Sequence, residues 1–261
     1  MRDQILVKLY LGHSKNWGDA LGPELARIIS GKEVVAVNLR EKNTHAPIYL
    51  TVGSILDNAD EKTVVWGSGF IDENQHTMGK PIAVKAVRGP LSRQKLLEQD
   101  IDCPEIYGDP ALLFPRFYYP KIAKKYQLGI IPHYKDKNNS WIEKMSKIEG
   151  VKILDIESGI YNFIDELLGC EKIASSSLHG IIAADAYDIP SLWIELSDKV
   201  IGHGFKFRDY FLSVGRKDTE PLVVKDDTTL EHIHDNFYDY KIEIDLDQLY
   251  EACPFRPELL S

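Results

Sequence analysis

Short β-rich apolar runs alternate along this chain with segments whose apolar residues recur every three to four positions. The runs predict strands over residues 5–10, 34–37, 49–52, 63–66 and 83–87. After the first of them a loop over 12–19 leads into helical spacing over 20–30, with Gly31 as a C-terminal stop. Pro90 suits the first position of a further helix, whose apolar face and charged exterior run through 91–98. A second series then begins, with strands over 128–131, 151–155, 172–174 and 191–195 and helices over 141–148, 163–168 and 178–187. From about Thr229 the chain reads as one or two acidic helices able to pack on either half.

Strands separated by helices predict parallel sheets covered on both faces. The alternation breaks once, at 111–126, where Pro110, Pro115 and Pro120 frame an aromatic cluster and the basic run 121–125 follows. The pattern therefore predicts an α/β chain of two Rossmann-like domains, 1–118 and 119–261. They are expected to face a cleft at the C-terminal ends of their strands, where open α/β sheets bind ligands.

Composition narrows the partners. With 261 residues, 44% hydrophobic and 27% charged, the chain has the make-up of a globular protein with one large or two small cores. The net charge of −9 means that an anionic substrate needs a local cationic pocket, and no basic stripe suggests a nucleic-acid face. The three cysteines are far apart with no CxxC pair, which suggests neither a zinc site nor a disulfide framework and fits a reduced, cytoplasmic protein. No signal-peptide hydrophobic region opens the sequence. No apolar run approaches the roughly 18 residues of a membrane span, so contact with a membrane surface would come through a partner or a lipid-linked substrate.

Several residues carry candidate chemistry. His179 follows Ser175-Ser176-Ser177-Leu178 and precedes Gly180, at the predicted passage from strand to helix. A histidine there either transfers protons near neutrality at the cleft rim or fills a helix N-terminus. The serines can cap the helix and, with its free amides, hold an anion. Arg88 ends a strand before Gly89-Pro90 and can fork onto a carboxylate or phosphate, or form a surface salt bridge. Asp19 is either the cap of the helix starting at Ala20 or a base facing an acceptor. Asn16 offers hydrogen bonds, while Trp17 offers a stacking face for a sugar or a core side chain. Asp109, in Gly-Asp-Pro, organises a turn. Trp66-Gly67-Ser68-Gly69 would let a ligand approach closely, but it is not a GxGxxG fingerprint and lacks an acidic residue placed to read a ribose, so no nicotinamide cofactor is expected. His13, His133 and His203 lie in predicted loops without metal-ligand spacing, and no metal is expected either.

Three segments taken together resemble the polysaccharide pyruvyl transferases. They are Asn16-Trp17-Gly18-Asp19-Ala20; Val87-Arg88-Gly89-Pro90-Leu91-Ser92 with Gly108-Asp109-Pro110-Ala111; and Ser175-Ser176-Ser177-Leu178-His179-Gly180 with Asp198-Lys199-Val200. Their order and spacing match over residues 6–214. The resemblance implies a GT-B-like pair of domains. It implies transfer of the enolpyruvyl unit of phosphoenolpyruvate, as a pyruvate ketal, onto a sugar of an exopolysaccharide, capsule or cell-wall glycan precursor. The acceptor would be lipid- or nucleotide-linked, and no cofactor would take part. Carried onto this sequence, it makes His179 and Asp19 catalytic and Arg88, Lys199, Ser176, Ser177, Asn16 and Trp17 substrate-binding. One position departs from the pattern: Ser177 stands where many members carry arginine, which removes one contact to phosphate or carboxylate. Two other classes remain open, a GT-B-type glycosyltransferase using a nucleotide sugar and a non-catalytic carbohydrate-binding subunit of a polysaccharide assembly complex.

Overall fold

The structure, a computed structural model, describes residues 5–9, 15–38 and 47–259. Ten strands in this part of the chain form two five-stranded sheets, both fully parallel. The first contains β1 (Ile5–Leu9), β2 (Val34–Asn38), β3 (Ile48–Leu50), β4 (Thr63–Trp66) and β5 (Ala83–Ala86), in the order β2-β1-β3-β4-β5. The second contains β6 (Tyr126–Ile131), β7 (Val151–Ile153), β8 (Cys170–Ser175), β9 (Ser191–Glu195) and β10 (Leu222–Val223), in the order β7-β6-β8-β9-β10. The two halves thus repeat one winding, as expected of Rossmann-like units. In each, strand order reverses beside the first strand, between β1 and β3 and between β6 and β8. Such a reversal opens a crevice beyond the C-terminal strand ends.

Parallel sheets need cover on both faces, and the central strands show it: all four positions of β4 are buried, as are the last four of β6. The cover comes from α1 (Trp17–Ser30), α2 (Pro90–Leu97), α3 (Ser140–Met145), α4 (Ile160–Leu168), α5 (Leu178–Ala186), α6 (Phe205–Ser213), α7 (Leu230–Asp235) and α8 (Leu246–Glu251). In α1 the buried Trp17, Leu21, Leu25 and Ile29 fall four apart and form one stripe. Gly31 ends this helix in the left-handed region at φ 63°, its amide donating to the Arg27 carbonyl, as the sequence predicts.

The largest apolar cluster runs through both halves. Trp17 lies 6.3 Å edge-on from Phe114, in the 3₁₀ turn Pro110–Arg116, and 5.6 Å from Phe163 of α4. The acidic C-terminal segment divides between the halves. Ile233 of α7 joins the core of the second sheet, whereas α8 crosses back to the first. There Trp66 Nε1 donates to the Leu249 carbonyl at 3.0 Å, and Phe255 packs 4.8 Å from Tyr49 and 5.8 Å from Trp66. The sequence pattern predicts neither α6 nor β10, and α6 proves important.

Candidate functional site

Helix α1 begins at Trp17, three residues earlier than the apolar spacing suggests. Its cap is Asn16, in extended conformation, whose Oδ1 accepts the Gly18 amide at 3.1 Å. Asp19 is therefore not the cap; it stands in the first turn with its carboxylate uncommitted. The same Asn16 oxygen lies 2.8 Å from Nδ1 of His179, in the first turn of α5, and so joins the entrances of the two helices across 163 residues of sequence. A carbonyl oxygen only accepts, and the Gly18 amide fixes which end of the Asn16 amide is the oxygen. Nδ1 of His179 must then carry the proton, leaving Nε2 with its lone pair. Gly18 is what permits this packing, because a Cβ there would fall 2.2 Å from His179 Nδ1. Burial, reinforced by the positive charges of Lys206, Arg88 and His133, pushes the imidazole down to about 3. His179 is thus a neutral acceptor.

Beside it, burial pushes the Asp19 carboxyl up to about 7, with Lys206 opposing and Asp109 reinforcing the shift. Among the described residues Asp19 makes no hydrogen bond or ion pair. Asp109 turns one oxygen to the Ala111 amide at 2.9 Å, capping the 3₁₀ turn, while its buried Oδ2 has no partner. Burial pushes this carboxyl up to about 6.

The three serines divide their work at the second strand reversal. Ser175 Oγ accepts the Ser177 amide at 3.0 Å and bonds the Ser177 and Ile131 carbonyls at 2.8 and 3.1 Å. Ser176 Oγ accepts the His133 amide at 2.8 Å, tying the exit of β8 to that of β6. Ser177 occupies the cap position of α5, yet its hydroxyl makes no capping bond, so the helix entrance is left open.

Other predicted site residues are placed differently. Trp17 is fully enclosed in the shared core and offers no face for a sugar to stack on. Lys199 lies exposed in the turn after β9, where its amide donates to Ser197 Oγ at 3.2 Å. Arg88 is not a free anion fork, because it already holds an anion. Its Nε donates to Asp209 Oδ2 at 3.1 Å, Nη2 lies 2.9 Å from the same oxygen and donates to the Phe70 carbonyl at 2.5 Å, and Nη1 donates to Ser54 Oγ at 2.7 Å, all with no exposed surface on Arg88. Of the glycines after β4, Gly69 makes room for this guanidinium, since a Cβ there would lie 2.4 Å from Arg88 Cζ, and Gly67 makes room for Pro110, whose Cδ a Cβ would approach to 2.2 Å. His13 lies outside the described residues. Within them, no three His, Cys, Asp or Glu side chains are grouped to hold a metal ion, and no helix is long and apolar enough to cross a membrane.

Helix α6 supplies two residues that sequence reasoning missed. Asp209, besides pairing with Arg88, accepts the Ser92 amide and hydroxyl at 2.9 and 2.7 Å, so it caps α2 from across the molecule. Lys206 is 8% exposed and has no hydrogen bond or ion pair among the described residues. Burial and the Arg88 charge push its ammonium down to about 8, with Asp19 opposing.

A family model described as polysaccharide pyruvyl transferase matches residues 38–198, more than half the chain. The chain belongs to this family. Two curated relatives are similar to it. The uncharacterized protein L143 of Acanthamoeba polyphaga mimivirus is 28% identical over 218 residues, covering 79% of this chain and 73% of the relative. The succinoglycan biosynthesis protein ExoV of Rhizobium meliloti (strain 1021) is 27% identical over 168 residues, 62% of this chain and 50% of ExoV. The match thus spans half the length of ExoV. The matched family region includes Arg88, the three serines and His179, whereas Asn16, Asp19 and α6 lie outside it.

Proposed function

We propose that this protein transfers the enolpyruvyl unit of phosphoenolpyruvate to a sugar as a pyruvate ketal, during synthesis of an exopolysaccharide or another surface glycan. In this reading the domains 1–118 and 119–261 face one another as in GT-B folds, except that the segment carrying α8 returns to the first. The acceptor is a lipid- or nucleotide-linked precursor met in the cytoplasm. Family membership and the similarity to ExoV, a succinoglycan biosynthesis protein, support the polysaccharide setting.

The observation that carries the reading is the pairing of an uncharged His179, open at Nε2, with an Asp19 carboxyl held near neutrality. Ketal formation moves two protons. One acceptor hydroxyl adds to C2 of phosphoenolpyruvate while the methylene carbon gains a proton and becomes methyl. A second hydroxyl then replaces phosphate on the same carbon, and its proton departs to solvent or with phosphate. His179 enters as an acceptor and suits removal of a hydroxyl proton. The Asp19 carboxyl, raised by burial to about 7, suits either direction of transfer near neutral pH. The open entrance of α5, with Ser176 and Ser177, is the seat of the donor's anionic end. Lys199, exposed in the turn after β9, is kept as a substrate-binding candidate on the family resemblance alone. Arg88 acts through Asp209, fixing α6 against the site.

Calorimetry with phosphoenolpyruvate, then with a panel of nucleotide sugars, tests the proposal. Binding of phosphoenolpyruvate, with phosphate released only when an acceptor glycan is added, is the expected result. Binding of a nucleotide sugar without phosphoenolpyruvate would replace this reading with a glycosyltransferase. Binding of glycan alone would leave a carbohydrate-binding subunit.

A further inference from the structure

Lys206 is in an unfavourable place for a resting cation. It lies in the first turn of α6, where the helix dipole repels positive charge. It is more than nine-tenths buried, and desolvation disfavours its charged form. The charged groups that bear on it are Arg88 after β5, Lys135 after β6 and Asp19 of α1, and two of the three are repulsive. The nearest aromatic face is its neighbour Phe207, with the ammonium 5.6 Å from the ring centroid, a weak substitute for an anion. Yet the surroundings hold the residue there firmly. Asp209, three residues on, is bound by Arg88 and Ser92, so α6 cannot turn to release Lys206 to water without breaking that buried pair.

Lys206, whose charge bears on Asp19 and His179, meets no hydrogen-bonding anion among the described residues, and a buried ammonium of this kind is matched to an incoming anion. The open entrance of α5 adds backbone amides with no charge of their own, since Ser177 is neutral. We propose that Lys206 is the donor-binding cation of this site and receives the donor's phosphate group against the entrance of α5. The assignment rests on the pyruvyl-transfer reading for the donor's identity, but its chemistry, a buried ammonium accepting a phosphate, stands separately. Binding would reverse the electrostatics of the free site. A phosphate dianion would favour the charged ammonium and raise the proton affinity of His179, so that an imidazole unprotonated at rest becomes able to keep a proton it has taken.

The test measures affinity for inorganic phosphate, for pyruvate and for phosphoenolpyruvate in the full chain and in the variants Lys206→Met and Lys206→Arg. Methionine suits the buried position, and thermal denaturation checks that this variant is folded. Loss of one charge-assisted contact should weaken phosphate and phosphoenolpyruvate binding about 10- to 100-fold in Lys206→Met, with most of it restored by arginine. In the wild type, phosphate affinity should also fall as pH rises through about 8, where Lys206 gives up its proton, and in Lys206→Arg it should not. Unchanged phosphate affinity in a folded Lys206→Met protein overturns the proposal, as does a loss confined to pyruvate. If phosphate binds through Lys206 but phosphoenolpyruvate does not bind the wild type, the cation site stands and the pyruvyl-transfer reading falls.

Discussion

Two buried groups of ionisable residues, one within the second half and one drawn from both halves, treat charge in opposite ways. Around Asp185 everything is paired. Arg216 Nη1 donates to both carboxylate oxygens at 3.0 Å, Tyr210, Tyr240 and Ser191 donate at 2.9, 2.5 and 3.0 Å, and the remaining faces of Arg216 meet Asp218 and the Ser191 carbonyl. Around His179 the groups are left short: among the described residues Asp19 and Lys206 have no hydrogen bond or ion pair, Asp109 has one bare oxygen, and Ser177 does not cap its helix. Burial is the same in kind, so burial does not separate a structural cluster from a functional one. What separates them is unmet demand. The first cluster satisfies its own charges and holds the fold; in the proposed reading the second receives its charge from the donor.

If that contrast is right, removing groups from the two clusters has opposite effects on stability. The largest effect expected is catalytic. His179→Gln or Asp19→Asn should lower turnover about 10²- to 10⁴-fold with the fold intact, measured as phosphate release. Asp19→Asn should also raise the melting temperature at pH 8. The folded state holds the Asp19 proton up to about 7 against an ordinary value of 3.8, so its penalty grows as pH rises between those values and is complete above them. The gain should vanish at pH 4, and a destabilised Asp19→Asn at pH 8 would break the comparison.

The opposite cluster should fail through folding. Arg216→Met leaves the Asp185 carboxylate buried without its counter-ion and should cost about 3–5 kcal/mol in chemical denaturation. A loss under about 1 kcal/mol would mean that the paired cluster is not the structural one. A smaller effect tests geometry alone. Gly18→Ala inserts a methyl group into the space of the His179 ring, and a displacement of that kind should reduce kcat/KM by up to about 10²-fold. The mildest and most specific test is pH. kcat/KM for the donor should rise through about 7 as Asp19 ionises and fall through about 8 as Lys206 loses its proton, with the upper limb moved to higher pH in Lys206→Arg. A flat profile between 6 and 9 would remove Asp19 from proton transfer and Lys206 from donor capture.

The alternation of apolar runs made the two parallel sheets legible because a fully buried strand such as β4 and a one-faced helix such as α1 leave distinct spacings. The entrance residues Asn16, Asp19 and His179 were legible from their places beside strands and in the motif segments. The join between Asn16 and His179 was not, since nothing local marks two loops 163 residues apart as partners. Arg88 was misread for a related reason: an arginine at a strand end looks the same whether its anion is a ligand or an aspartate on a distant helix. Helix α6 escaped altogether. Phe205, Phe207, Tyr210 and Phe211 are buried with Lys206 and Asp209 among them, so both polar residues and aromatic ones face inward and no amphipathic period survives. Only the three-dimensional arrangement shows that of the charges in that aromatic run Asp209 is paired with Arg88 while Lys206 is buried apart from it.

By chain position α6 belongs with the second sheet, but Asp209 is gripped by Arg88 and Ser92 beside the first. The second half therefore cannot open alone and leave the first intact, because doing so would strip a buried guanidinium of its counter-ion and uncap α2. The slowly exchanging amides of α2 and α6 should then share one opening free energy in native-state hydrogen exchange, as members of a single cooperative unit. Heating should melt the molecule in one calorimetric transition despite its two sheets.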